Sequence, residues 1–395
     1  MRRTLWFGTL LLGLIACASN IREQYNKERD QVLATVGPAP AGWRGDIQIR
    51  IQPSSMQRLA TAALDAGLLS WDKTIRVDAP LGVKIRLNPN ASITRLRLLP
   101  GQGCTSCLNI DADLNGNATW VVGPLDGTLP FTARMKGDLA LALKRTDDGF
   151  QLNGRLADIS RLAVQSDSIK RVNVGPQIKR WAQNALDAAP AFTIADFGGD
   201  DLPLRAARIN LSSEMLSVEA LSMAEGAPVA ASTALLDSGN DWEVRTSTET
   251  ALNLMRRAAF EAGAQTYDLA VDPRALAVDG DRFDLNIRLW RLSNRGWWRE
   301  YAVNGTFDVE KNKIQMHADR ATQGEHSRGA GVADAIAVLA RNRILEAITD
   351  NLQQAIPGTK STTVQDLKIK AQTKSFTGED GALVLQGTLT TQKVR

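Results

Sequence analysis

The sequence has few of the residues that usually carry enzyme chemistry. Its 395 residues include 2 histidines, 3 cysteines and 3 tyrosines, and aromatic residues make up 5% of the chain. The two histidines, His317 and His326, have no cysteine near them, so they do not form a zinc-binding pattern. The sequence also lacks a nucleophile elbow, a zinc-protease helix motif, a phosphate loop and a dinucleotide fingerprint. We therefore predict a protein that is not an enzyme and uses neither a metal ion nor a cofactor.

One short pattern matches the start of a calcium loop. Residues 111–116 place Asp, Asp and Asn at alternate positions before a glycine, but Val122 stands where such a loop needs a bidentate glutamate. A polar hairpin with an Asn-Gly turn explains the same residues, and we favour that interpretation.

The overall composition is that of a folded protein without a nucleic-acid partner. Hydrophobic residues make up 44% and charged residues 23%, unlike the composition of disordered chains. The net charge is +4, and the lysines and arginines are spread along the chain instead of forming a basic stripe. A chain of 395 residues exceeds the usual size of one domain, which predicts two domains.

The first residues, MRRTLWFGTLLLGLIACASN, have the pattern of an export signal. Two arginines precede an apolar run that ends at Ile15, which is shorter than the roughly 20 residues of a membrane-spanning helix. The stretch Leu14–Cys17 resembles the lipobox of bacterial lipoproteins. This resemblance implies a signal peptide over residues 1–17, cleavage before Cys17, and a diacylglyceryl group on the Cys17 thiol whose acyl chains, such as palmitate, anchor the protein to a membrane.

The anchor also predicts the compartment. Ala18 follows the cysteine where, by analogy, an aspartate would favour the inner membrane, so we predict an outer-membrane lipoprotein that faces the periplasm. Cys104 and Cys107, in the order C-T-S-C, then lie in an oxidising compartment, which favours a local disulfide over redox or zinc chemistry. Residues 18–42 are charged and then rich in Pro, Ala and Gly, which predicts a short helix and a tether.

Beyond residue 42, apolar and polar residues alternate in several stretches, which predicts half-buried strands. Asn-Gly or Asp-Gly pairs at 115–116, 148–149 and 304–305 predict turns of antiparallel hairpins. The alternating residues are Ile47, Ile49 and Ile51; Val83, Ile85 and Leu87; Leu139, Leu141 and Leu143; and Phe283, Leu285, Ile287 and Leu289.

Four segments have helical spacing instead, and they divide the chain into two similar halves. The sequence AALDAG at 62–67 matches AAFEAG at 258–263, and in each half a second helix leads into a closing pair of strands. The four predicted helices begin near Ser54, Pro176, Thr250 and Val332.

This repeated order of a long helix, a strand meander, a second long helix and a terminal hairpin resembles the tubular lipid-binding superfamily, which includes bactericidal/permeability-increasing protein. The segment 172–223, with IKRWAQNALDAAPAF before its closing strands, carries the resemblance best. The resemblance implies an α+β fold of two tandem lobes, 43–230 and 231–395, each a curved antiparallel sheet wrapped on long amphipathic helices. The family's disulfide between a strand and its second helix has no counterpart here, so the family's ligand is not carried over.

A groove between helix and sheet in such a fold would accept acyl chains. The resemblance therefore implies a membrane-anchored lipoprotein that binds or transfers lipids or other long apolar ligands in the bacterial envelope. The alternative is a non-enzymatic envelope scaffold or interaction protein, in which the same apolar faces close on each other as filled cores. The groove candidates are Met56, Leu59, Ala63, Ile178, Trp181, Ala182, Ala185, Met255, Ala258, Ala259, Ile336, Leu339 and Ile344.

Overall fold

A computed structural model describes the chain in segments separated by gaps. The predicted export signal and the predicted helices near Pro176 and Val332 lie outside these segments. The described residues are 20–34, 37–65, 70–72, 75–78, 84–100, 106–122, 124–146, 149–165, 192–198, 204–212, 215–224, 226–230, 232, 234–264, 268–293, 296–310, 313–327, 361–364 and 367–393.

The described residues contain three helices. These are α1 (Asn20–Val32), α2 (Pro53–Asp65) and α3 (Thr248–Ala262), and the last two confirm the helices predicted near Ser54 and Thr250. The Ser247 side chain caps α3 by accepting a hydrogen bond from a backbone N–H of its first turn, and Gly263 follows its last turn with a φ of 66°. None of these three helices is long and apolar enough to cross a membrane.

Strands account for most of the described residues, and every strand pair among them is antiparallel. In chain order the strands are β1 Ile47–Ile51, β2 Ser70–Asp72, β3 Ile75–Asp78, β4 Lys84–Pro100, β5 Cys107–Val122, β6 Leu125–Thr146, β7 Gly149–Gln165, β8 Phe192–Gly198, β9 Leu204–Leu211, β10 Leu216–Ser222, β11 Trp242–Ser247, β12 Leu269–Asp279, β13 Arg282–Arg291, β14 Trp297–Glu310, β15 Lys313–His326, β16 Ser361–Val364, β17 Leu367–Glu379 and β18 Ala382–Lys393.

These strands form three sheets. The N-terminal sheet has the order β2-β4-β5-β6-β7-β8, with β3 also paired to β4. The C-terminal sheet has the order β12-β13-β14-β15, and the central sheet has the order β16-β17-β18-β11-β1-β10-β9. Because β6 contains 22 residues, it is about 70 Å long at roughly 3.3 Å per residue.

The predicted fold class, an α+β fold with sheets wrapped on long amphipathic helices, is wrong. The three described helices have 13, 13 and 15 residues, and strands dominate the rest of the described chain. The physical reason is that the apolar sheet faces pack on each other. Leu216 of the central sheet shares a core with the N-terminal sheet, and Phe376 of the central sheet shares another core with the C-terminal sheet.

The central sheet joins the two halves of the chain. In each half a short strand leads into a helix, long antiparallel strands follow, and a closing hairpin returns to this sheet. β1 pairs with its own closing strand β10, β11 pairs with its own closing strand β18, and β1 and β11 pair with each other. The described elements therefore follow the order of the predicted repeat, while the lobe boundary between residues 230 and 231 stays a prediction.

Two predicted Asn-Gly turns are wrong, because both pairs lie inside strands. The pair at 115–116 lies within β5 and the pair at 304–305 within β14. A β-carbon on Gly305 would lie 2.1 Å from the His317 carbonyl oxygen and 2.7 Å from the Phe283 ring. Because Gly305 has no side chain, the His317 carbonyl and the Phe283 ring can approach its backbone closely, at a position where the register of β14 and β15 shifts. Glycine within a strand can therefore mark a close contact and not a turn.

Asp241 ties α2 to the central sheet. Its buried carboxylate accepts hydrogen bonds from Ser55 Oγ (3.0 Å) at the start of α2 and from the Leu389 N–H (2.8 Å) in β18, and it pairs with Arg58. Burial alone would raise the pKa of the Asp241 carboxyl, but these three partners outweigh burial and hold the pKa below its ordinary value.

We predict that Asp241→Asn lowers the free energy of unfolding at neutral pH by about 1–3 kcal/mol, because a charged acceptor is lost. A lowered pKa means that the stabilisation is present at neutral pH and disappears as the pH falls through the folded-state pKa. The variant should therefore lose less stability in acid than the parent, as measured by urea unfolding at several pH values. Asp237→Asn, at an exposed carboxylate, is the control, and parallel pH curves for Asp241→Asn and the parent would contradict the prediction.

Candidate functional site

Two rows of apolar side chains cross four neighbouring strands of the N-terminal sheet, β4, β5, β6 and β7. The first row consists of the register partners Ile93, Leu114, Ala133 and Val164. The second row consists of the register partners Leu96, Ala112, Met135 and Leu162. Successive side chains of a strand point to opposite faces, so all eight lie on one face of the sheet. We call these eight residues the apolar rows.

The apolar rows are buried in the middle and half-buried at their edges. Ala112 on β5 is 0% exposed and Met135 on β6 is 5% exposed, whereas Leu96 and Val164 on the outer strands are only half-buried. All eight residues belong to one hydrophobic cluster, whose buried members among the described residues are aliphatic side chains and methionines.

The opposite face of the same strands carries charged residues that pair with one another. Arg95 Nε lies 2.7 Å from Asp113 Oδ2, and Arg134 Nη2 lies 2.9 Å from Asp111 Oδ2. The hydrogen bond from Arg134 lowers the pKa of the Asp111 carboxyl. These are the carboxylates of the calcium-like pattern, and in the structure they bind arginines across a continuous sheet. The part of the chain that the structure describes contains no group of three or more His, Cys, Asp or Glu residues suited to a metal ion.

The corresponding core of the C-terminal half, which we call the aromatic cluster, contains six aromatic residues among aliphatic side chains. Phe307 on β14 contacts Phe283 and Phe376, with ring centroids 4.9 Å and 4.6 Å apart. Three further aromatic residues are buried in the same cluster: Trp242, Trp297 and Tyr301. The two halves therefore differ in the chemistry of their cores, although their elements follow the same order.

Of the predicted groove residues, those that the structure describes fall into separate places. Met56 on α2 is 9% exposed and packs in the cluster of the apolar rows, and Leu59 on the same helix is half-buried. Met255 and Ala258 on α3 pack instead in the aromatic cluster, and Ala259 is buried. The structure therefore places Met56 and Met255 in different clusters, one in each half of the chain, and the contact of the predicted residues with a ligand stays a prediction.

The other predicted site residues lie outside the described residues or have side chains that the structure does not describe. They are Cys17, Ala63, Cys104, Ile178, Trp181, Ala182, Ala185, Ile336, Leu339 and Ile344. Cys107 is described: it is 2% exposed and disulfide-bonded, and its pairing with Cys104 stays a prediction.

The sequence prediction placed ligand contacts on helices and missed the apolar rows. A signal was present, because the apolar side chains Leu108, Ile110, Ala112 and Leu114 alternate along β5 with polar ones. This alternation predicts a buried face of a strand. It does not reveal which strands lie beside it.

Comparison with solved structures finds a distant similarity to a lipopolysaccharide binding protein, with 11% identity, a TM-score of 0.41, and coverage of 89% of this chain and 100% of that chain. P47 from Clostridium botulinum A2 is 9% identical, with a TM-score of 0.39 and coverage of 87% of this chain and 97% of that chain. P47 of Clostridium botulinum E1 is 8% identical, with a TM-score of 0.39 and coverage of 88% and 100%. No protein-family model matches the sequence, and no curated protein sequence matches it. Similarity at this level assigns no function.

Proposed function

We propose that this chain is a membrane-anchored lipoprotein that binds or transfers lipids or other long apolar ligands in the bacterial envelope. In this proposal the acylated Cys17 holds the protein to the outer membrane, and the body faces the periplasm. The ligand surface is the set of apolar rows on the N-terminal sheet. The lipobox-like sequence Leu14–Cys17 supports the anchor, and the apolar rows support the ligand surface.

The observation that carries the proposal is the chemistry of the apolar rows. They cross four strands, which at roughly 4.8 Å between neighbours gives an apolar sheet face about 14 Å wide, buried at its centre and half-buried at its edges. Each methylene of an acyl chain moved from water to such a surface contributes about 0.8 kcal/mol, so a segment of ten methylenes contributes on the order of 8 kcal/mol before the costs of association. Apolar contact therefore supplies a free energy of the size that binding needs, and no catalytic group is required.

A scaffold without a ligand is the second candidate, and the aromatic cluster of the C-terminal half favours it. The contacts of Phe307 with Phe283 and Phe376 fill the space between the C-terminal and central sheets with side chains of the protein itself. A protein with two cores of this kind would organise partners in the envelope without carrying a lipid. The N-terminal half therefore decides between the two functions.

We expect Val164→Asp to weaken the binding of a fluorescent phospholipid about tenfold or more. Val164 is half-buried at the edge of the apolar rows, where a carboxylate can reach water in the free protein but would lie against acyl chains in the complex. The measurement is titration of the protein lacking residues 1–17 with NBD-phosphatidylethanolamine, together with mass spectra of any lipid that purifies with it.

Ala163→Asp is the matched control, because Ala163 is the neighbouring residue on the opposite face of β7 and pairs in register with Arg134. Its phospholipid affinity should equal that of the parent, and thermal unfolding should show that both variants are folded. A parent protein that contains no lipid and takes up none from the titration would support the scaffold instead. Equal affinities of the two folded variants would remove the apolar rows from the site.

A further inference from the structure

Helix α1 packs closely against the C-terminal half of the protein. Tyr25 on α1 is 3% exposed, and its ring lies 5.4 Å from the ring of Phe260 on α3 and 5.9 Å from that of Trp290 on β13. Near the start of the helix, the side chain of Ile21 lies 3.1 Å from the position of a β-carbon on Gly296. The first turn of α1 therefore lies beside Gly296, whose N–H donates to the Ser293 carbonyl oxygen at 3.1 Å; we call Ser293 and Gly296 the ends of the β13–β14 turn.

Charged side chains hold the same helix in place. Glu28 on α1 contacts three arginines of the body: Arg288 Nη1 at 3.2 Å, Arg256 Nη2 at 3.8 Å, and Arg274 in a closer pair. Arg256 and Arg274 also bind the buried carboxylate of Asp272 on β12, at 2.9 Å and 2.8 Å. Removal of the Glu28 carboxylate would leave these three arginines with fewer compensating negative charges. The ion pairs of Glu28 therefore stabilise the packing of α1 against the C-terminal half.

The chain between the proposed anchor and this docking site is short. Cys17 precedes Ile21 by four residues, and a chain spans at most about 3.6 Å per residue, which limits the separation to about 14 Å. The acyl chains on Cys17 would therefore enter the bilayer close to the β13–β14 turn.

We propose that docked α1 fixes the orientation of the protein on the membrane, with the β13–β14 turn against the lipid head groups. This inference rests on the proposed acylation of Cys17. Arg22 on α1 is exposed and Arg291 at the end of β13 is half-exposed, and both are placed to contact anionic phosphates. Trp297 in the next strand is 8% exposed and belongs to the aromatic core, so the contact is made by charged residues at the head groups and not by insertion of this indole.

The two ends of β13 provide a test with an internal control. Ser293→Cys places a label in the β13–β14 turn, and Asp281→Cys places it in the β12–β13 turn at the other end of the strand. β13 has 10 residues, so the two labels are about 30 Å apart. The acylated protein that begins at Cys17, labelled with bimane, is reconstituted in vesicles of phosphatidylethanolamine and phosphatidylglycerol that contain a head-group nitroxide lipid.

We expect the label at position 293 to be quenched several-fold more than the label at position 281. Combining Tyr25→Ala with Glu28→Ala should release α1 and bring the two quenching levels together, while the protein remains bound to the vesicles. Equal or reversed quenching on a vesicle-bound protein with intact α1 overturns the orientation. A protein that carries no acyl mass on Cys17 and does not bind vesicles contradicts the anchor, and the orientation with it.

Discussion

Glu243→Ala is expected to lower the free energy of unfolding by about 3–5 kcal/mol, because it leaves a buried arginine without its carboxylate. Arg50 on β1 and Glu243 on β11 are 1% and 3% exposed, and Arg50 Nη1 lies 2.6 Å from Glu243 Oε1. Glu243 also accepts a hydrogen bond of 2.9 Å from Gln386 on β18. In the variant the guanidinium keeps the Ala234 carbonyl as an acceptor but loses the charge that compensated its desolvation.

A double variant separates two quantities: the stability lost when one partner is left buried alone, and the net contribution of the intact pair to the free energy of unfolding. Arg50→Met combined with Glu243→Leu should be more stable than either single change, since neither member of the pair is then left buried without its partner. Asp113→Ala, which removes a half-exposed partner of Arg95, should cost at most about 1 kcal/mol. All these variants and the parent are compared by urea unfolding. A loss below 1 kcal/mol for Glu243→Ala would show that the pair is solvated in solution.

The ion pair lies where the two halves of the chain meet. Arg50 and Glu243 are register partners on β1 and β11, the pair of strands that joins the halves in the central sheet. The segment between the halves covers this face, because the Ser232 N–H donates to Gln48 Oε1 and the Gln52 side chain donates to the Leu236 carbonyl. A polar face buried under this segment specifies one alignment of the halves, since a shifted register would leave these charges unpaired.

The elements that the sequence predicted well are those with a strong local pattern. The alternation of Phe283, Leu285, Ile287 and Leu289 predicted β13, and Gly263 correctly marked the end of α3. The Asn-Gly pair in β14 has the same local pattern as a hairpin turn. What distinguishes it is the nearby His317 carbonyl, which is a tertiary contact and has no trace in the neighbouring sequence.

The apolar rows could not be predicted for a related reason. Alternation predicts that Ala112 and Leu114 share a face of β5, but the register that places Ile93 and Val164 in line with Leu114 joins residues far apart in sequence. The same alternation fits a strand that faces a helix and a strand that faces another sheet. The predicted helix–sheet fold assumed the first arrangement, and the central sheet supplies the second.

Phe307→Ala is expected to lower the free energy of unfolding by about 3–5 kcal/mol, because it empties the centre of the aromatic cluster. The Phe307 ring lies between Phe283 in its own sheet and Phe376 in the central sheet, so its loss removes contacts that hold the two sheets together. Phe307→Leu keeps part of this contact and should cost less than half as much. Urea unfolding measures both.

The same variant tests whether the C-terminal half carries ligand. If the ring fills a core, Phe307→Ala should leave the affinity for NBD-phosphatidylethanolamine unchanged while stability falls. If the ring instead narrows a ligand channel, its removal should increase phospholipid uptake with little loss of stability, because the space would already exist in the folded protein. We expect the first result, since Phe307 is 7% exposed and its ring contacts those of Phe283 and Phe376. That outcome would show that the C-terminal core holds no phospholipid. The role of the C-terminal half would then be to hold α1, and the apolar rows of the N-terminal sheet would bind the lipid.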